Sequence, residues 1–155
     1  MPVRLVAVGK LGERYFREAA AEYERRLKRY ITFETVEVAD EPLGRKPDEE
    51  ALRLEGDRLL RRLPEAAHAI LADRQGRLLT SEEFAGLIER LLLQGRSNIA
   101  LLVGGTLGVD SRVRKRADDI VSFSRMTMGH QLARIVLLEQ VYRAFTIIRG
   151  EKYHR

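Results

Sequence analysis

The chain of 155 residues contains no cysteine. That absence excludes disulfides, thiol nucleophiles and cysteine-ligated zinc. Histidine is nearly as scarce: His68, His130 and His154 lack the spacing of metal ligands, so no structural metal is expected. Long hydrophobic runs are missing as well. The stretch from Met1 to Gly9 is too short for a signal peptide or a membrane span and runs directly into charged sequence, so a cytoplasmic protein without membrane association is expected. No Ser-His-Asp set and no paired-carboxylate arrangement stands out, which leaves hydrolysis without an engine.

Lysine is the next shortage. Only Lys10, Lys28, Lys46, Lys115 and Lys152 appear, so the rest of the 28 basic residues are arginines. Planar guanidinium forks suit phosphate and base contacts better than ammonium does, although a GC-rich genome or a hot habitat produces the same bias. A net charge of +5 favours an anionic partner, nucleic acid first, against the alternative of a merely solvated surface. A composition of 45% hydrophobic and 33% charged residues is that of an ordinary folded chain, and the length suits one domain over residues 1–155.

Short apolar runs alternate with amphipathic stretches throughout, the pattern of an α/β fold with a mostly parallel sheet flanked by helices. Strands are expected at Arg4 to Val8, around Phe33 to Val38, from Ala66 to Ala72, from Ile99 to Val103 and near Ile120 to Phe123. The third is expected to end in a turn at Asp73-Arg74-Gln75-Gly76. Helices are expected from Glu13 to Tyr30, from Asp48 to Leu63, after a Thr80/Glu83 capping box, as a short basic segment after Asp110, and from about Leu132 to Ile148. Gly95 has the position of a helix stop. The last helix is apolar on more than one side, and a second surface must cover it. That surface is either another copy of the chain, giving a homodimer, or the interior of its own domain.

Two loops carry the functional reading. The fourth strand breaks into Gly104-Gly105-Thr106-Leu107-Gly108, and the fifth runs into Ser122-Phe123-Ser124-Arg125-Met126-Thr127-Met128-Gly129; the two strand ends are expected side by side at the carboxyl edge of the sheet. Glycines admit a ligand close to backbone N–H and C=O groups, and strand carboxyl ends are where open α/β sheets bind ligands. The first loop matches neither the P-loop nor the dinucleotide fingerprint, and a tight turn explains it equally. Ser122, Ser124 and Thr127 either bind phosphate or cap the following helix. Glu139 and Arg143 have the spacing of a helix ion pair. Arg134 has no acidic residue four positions on and is read as solvent-exposed or as an anion contact. Tyr153, His154 and Arg155 add little to a core and are read as a functional tail.

Taken together these residues resemble the SPOUT-class methyltransferases that modify pseudouridine at N3 in bacterial large-subunit ribosomal RNA. The resemblance runs from Val6-Ala7-Val8-Gly9-Lys10 through Glu22-Tyr23-Glu24-Arg25-Arg26-Leu27 and Ser81-Glu82-Glu83-Phe84-Ala85. It is densest in Val103-Gly104-Gly105, Ser122 to Gln131, Glu139 to Ala144 and Tyr153-His154-Arg155. It implies a homodimer of small α/β subunits, each with a C-terminal trefoil knot and a cofactor site within about residues 99–155. It also implies 23S rRNA within the ribosome as substrate and S-adenosylmethionine as cofactor. The cofactor would be held by Ala72, Gly104, Gly105, Phe123, Ser124, Arg125, Met126, Thr127 and Met128. His154 would then be the base for the N3 proton, with Arg155 and Arg134 on the anion or phosphate and Tyr142 or Tyr153 orienting the base. The family often has Leu-Asp or Leu-Glu where this chain has Ala72-Asp73, and Pro where it has Gly129.

Overall fold

The computed structural model describes residues 2–96 and 98–154. Its centre is a five-stranded, wholly parallel sheet in the order β2-β1-β4-β3-β5, formed by β1 (Pro2–Val8), β2 (Thr32–Val38), β3 (His68–Leu78), β4 (Ile99–Val103) and β5 (Asp119–Ser122). Five helices connect and cover it: α1 (Arg14–Leu27), α2 (Asp48–Arg61), α3 (Ser81–Leu93), α4 (Ser111–Arg116) and α5 (His130–Ile148).

The near-continuous apolar strands follow from this arrangement, because parallel strands covered on both faces have no solvent side. Leu5, Ala7, Ile70 and Leu101 turn toward a core shared with α1, α3 and α5. Their neighbours Val6, Val8, Leu71 and Leu102 face a smaller core closed by Leu59 of α2 and Val113 of α4. Local signals set the boundaries of α3. Thr80 accepts from the Glu83 amide while the Glu83 carboxylate accepts from the Thr80 amide, the expected capping box. Gly95 stops the chain in the left-handed region at φ +72°.

The sheet order corrects one expectation. The ends of β4 and β5 are not side by side; β3 lies between them. The expected turn at residues 73–76 is also not the end of β3. Those residues loop out of the ladder and the strand resumes, with Arg77 and Leu78 pairing against Val121 and Ser122. Gly76 makes this possible. A Cβ there would lie 2.7 Å from the Ile120 carbonyl carbon and 2.8 Å from its oxygen.

Helix α5 lies over β4 between α1 and α3. Its buried Leu137, Leu138, Val141, Ala144 and Phe145 are covered by those neighbours, so part of its apolar surplus finds a second surface within the same chain. Leu132 is exposed, and Ile135, Val136, Tyr142 and Ile148 are only partly buried.

Candidate active site

Where β4 and β5 end, beside the loop-out of β3, a cleft of about 710 Å³ opens. That volume lies within the usual range of small-molecule sites. Ala72 and Asp73 form its floor beneath the glycine turn on one side and the loop after β5 on the other. His130, Ala133 and Val136, in the first half of α5, close the back.

The glycine turn is shaped by backbone crowding. The Gly108 amide donates to the Gly105 carbonyl at 3.0 Å, and Gly108 takes φ +85°. A Cβ on Gly104 would strike the Gly108 carbonyl and come within 2.7 Å of Val109 Cγ1. Gly105 rests on Val8 and on Glu55 of α2, a carboxyl only 5% exposed. Glu55 Oε2 accepts from the Glu41 amide at 2.8 Å, whereas Oε1 is buried without a partner. Burial pushes the Glu55 carboxyl up, against the opposing effect of the Glu41 amide.

On the opposite wall the serines are spent on loop geometry. Ser122 Oγ donates to the Ser124 carbonyl at 2.8 Å, and Ser124 Oγ accepts from the Met126 amide at 3.0 Å. The helix-capping alternative is corrected here, since α5 has Gly129 at its N-cap and no side-chain cap bond. Asp73 and Arg114 form a two-pronged ion pair at the floor, both contacts at 3.0 Å. His130 Nδ1 lies 3.4 Å from Thr106 Oγ1, linking the two walls.

Of the residues expected to hold a cofactor, Ala72, Gly104, Gly105, Phe123, Ser124, Met126, Thr127 and Met128 all line this cleft. Arg125 does not; it is exposed between two lining residues. Asp73, Thr106, Arg114 and His130 were missed. His130 had a legible signal in its place at the mouth of the Ser/Thr loop, but the pairing of Asp73 with Arg114 across 41 positions had none.

The other expected residues lie elsewhere. Arg134 is 3% exposed, donating through Nη1 to Glu37 Oε2 and through Nη2 to the Gly9 carbonyl at 2.8 Å. The reading of an unpaired, solvent-facing arginine is corrected: its partners come from the end of β2 and the residue after β1, where no local spacing rule looks. Arg155 lies outside the described residues. Tyr142 and the tail gather on the second half of α5. Tyr153 packs edge-on to Tyr142 at 4.8 Å, lies under the Arg143 guanidinium at 4.8 Å and donates to Glu139 Oε1 at 3.1 Å. The expected Glu139–Arg143 pair is present at 2.6 Å, and that bond raises the arginine further. His154 Nδ1 faces Arg143 at 3.1 Å, and Nε2 faces Glu82 at 2.7 Å. The bond to His154 holds the Glu82 carboxyl below its ordinary range. Because arginine only donates, Nδ1 accepts and Nε2–H donates to Glu82. Neither Tyr142, Tyr153 nor His154 lines the cleft.

Among the described residues no group of His, Asp or Glu side chains could hold a metal ion, and no helix is long and apolar enough to cross a membrane.

A family model described as "Predicted SPOUT methyltransferase" matches residues 1–154. Curated relatives agree with it over their whole lengths. A protein of Desulfitobacterium hafniense (strain DSM 10664 / DCB-2) named Ribosomal RNA large subunit methyltransferase H is 45% identical, the match covering 100% of this chain and 99% of that protein. Proteins of the same name from Carboxydothermus hydrogenoformans and Bacillus pumilus are 45% and 42% identical, each match covering 100% of both chains. With a parallel sheet, a glycine-walled cleft at its carboxyl edge and matches of this extent, the chain belongs to the SPOUT methyltransferase family.

Proposed function

We propose that this protein methylates N3 of a pseudouridine in 23S rRNA of the large ribosomal subunit, on the assembled ribosome in the cytoplasm, with S-adenosylmethionine as donor. The observation that carries this reading is the cleft at the ends of β4 and β5 and the loop-out of β3 in a chain similar over its full length to large-subunit rRNA methyltransferases. On this reading residues 1–155 are a single SPOUT domain, with the trefoil knot and cofactor site within about 99–155.

The cleft fits such a cofactor. Gly104 and Gly105 expose backbone in a wall that side chains would fill, and Phe123, Met126 and Met128 offer apolar surface opposite. Bound there, S-adenosylmethionine supplies a methyl group on an electrophilic sulfonium. The protein's part is then alignment and proton removal. Holding the uracil N3 in line with the methyl carbon converts a bimolecular displacement into a unimolecular one. A base of the protein would take the N3 proton, leaving N3 free to accept the methyl group that the cofactor would supply.

His154 is the proposed base, with Arg155 on the developing anion or the RNA backbone and Tyr142 orienting the nucleobase. Arg134 acts at a distance by fixing the start of α5 to the β1–β2 edge. Two features of the tail bear on this assignment. The Nδ1 lone pair of His154 is occupied by Arg143, so proton transfer to it requires the tail to exchange that contact. The tail also sits outside its own chain's cleft, which supports a homodimer in which one subunit's tail completes the partner's site. Tritiated methyl transfer from S-adenosylmethionine to ribosomes lacking the modification tests the activity. Calorimetry separates it from a non-catalytic RNA-binding module, for which S-adenosylmethionine would release no heat.

A further inference from the structure

The loop-out of β3 has no part in the chemistry above, yet it is built firmly. At its base Asp73 is gripped by Arg114 and accepts from the Gln75 amide at 2.9 Å. At its far end Gly76 presses on the backbone of β5, and the ladder resumes at Arg77. A β-bulge of this kind re-aims side chains at a strand end. Here it brings Arg74 and Gln75 into the lining of the cleft, and Arg77 follows where the strand resumes; all three are exposed. The exposed Arg125 lies between Ser124 and Met126, which line the cleft in the loop after β5.

These arginines differ from their neighbours. Arg112, Arg114 and Arg116 on α4 are each held by carboxylates, Arg112 and Arg116 by backbone carbonyls as well. Arg74, Arg77 and Arg125 make no ion pair and no side-chain hydrogen bond among the described residues. Glu83, whose carboxylate feels the charge of Arg77, is already committed to the capping box. Three guanidinium groups without an ion pair therefore sit on or next to segments that line one cleft. A lone carboxylate would need only one of them, whereas a phosphate chain crossing the mouth can use all three.

We infer that the looped-out segment of β3, through Arg74 and Arg77 and together with Arg125, is the surface that docks RNA phosphates flanking the target nucleotide over the cleft. This rests on the rRNA reading above and specifies where the substrate backbone lies.

The test is the salt dependence of binding to large ribosomal subunits that lack the methyl group, measured for the full chain and two double variants. Arg74→Gln/Arg77→Gln removes two rim charges; Arg61→Gln/Arg62→Gln removes two exposed, equally unpaired charges from the end of α2, outside the cleft. Each phosphate contact contributes about 0.7–0.9 to the slope of log affinity against log salt, so the rim variant should lose roughly 1.5 from the slope. The α2 variant should lose less than about 0.5 by the same counting. Both should melt like the parent, and calorimetry should show S-adenosylmethionine binding within about twofold of it.

Equal slope losses in the two variants would mean that only bulk charge matters and would overturn the docking surface. So would loss of S-adenosylmethionine affinity in the rim variant, which would assign these arginines to the cofactor carboxylate. Methyl transfer by the parent with an unchanged slope in the rim variant would overturn the docking surface while leaving the function intact. Failure of the parent to bind or methylate the particle would overturn both.

Discussion

Replacing Arg134 by methionine separates an architectural arginine from a catalytic one. Methionine keeps most of the stem volume, so the change removes the guanidinium without opening a large cavity. The loss is two charge-assisted hydrogen bonds, to Glu37 and to the Gly9 carbonyl, from a side chain 3% exposed. Such bonds are worth about 1.5–3 kcal/mol each when the partner stays buried. The Glu37 side chain is 35% exposed, so water recovers part of its share. The net cost should be about 3 kcal/mol. For a chain of this length that lowers the melting temperature by roughly 6–12 °C. Thermal unfolding followed by circular dichroism reads it directly, and methyl transfer well below the transition should survive. An unchanged melting temperature with transfer abolished would refute the structural role and return Arg134 to the chemistry.

Gly104→Ala should lower S-adenosylmethionine affinity by at least about tenfold, since the new Cβ displaces the Gly108–Val109 backbone at a cost of about 1–3 kcal/mol; calorimetry checks it, and unchanged affinity would remove the turn from the site. Glu55, raised by burial, binds its proton more tightly folded than unfolded, so stability falls as pH climbs from the ordinary carboxyl range through its folded value. Glu55→Gln should flatten that part of the melting-temperature profile, and an identical profile would show that the carboxyl does not titrate there. Deleting residues 153–155 removes the partly exposed contacts of Tyr153 and His154 and should leave melting and cofactor binding nearly intact while transfer falls by orders of magnitude; retained turnover would strike the tail from the mechanism. Mixing Gly104→Val with His154→Ala subunits should restore activity if the tail serves the partner's cleft, and no recovery in confirmed mixed dimers would confine each site to one chain.

Signals within a few residues of one another were legible in the sequence. The β1 and β4 apolar runs, the Thr80–Glu83 box, the Gly95 stop and the two loops of the cleft all depend on local pattern, and all are where the residues put them. What failed depended on distance. No local feature says that β3 slots between β4 and β5, because parallel pairing joins segments separated by long crossovers. Gly76 was read as a turn because the same residue type serves a bulge, and only the proximity of β5 distinguishes them. Arg134 seemed free because its partners lie 97 and 125 positions away. The apolar surplus of α5 left a second subunit and the domain's own interior as alternatives; α1 and α3 cover Leu137, Leu138, Val141, Ala144 and Phe145, and Leu132 remains exposed. Eight of the nine expected cofactor residues reached one cleft because strand carboxyl ends converge whichever order the strands take.

The central claim is methyl transfer to one nucleotide, and its most direct test is to locate the methyl group. Large ribosomal subunits lacking the modification would be incubated with labelled S-adenosylmethionine and the protein, and their nucleosides resolved by mass spectrometry. The account predicts label on N3 of a pseudouridine in 23S rRNA with the parent chain and none with Gly104→Val. Label absent from the RNA, or found on another nucleotide, would contradict it.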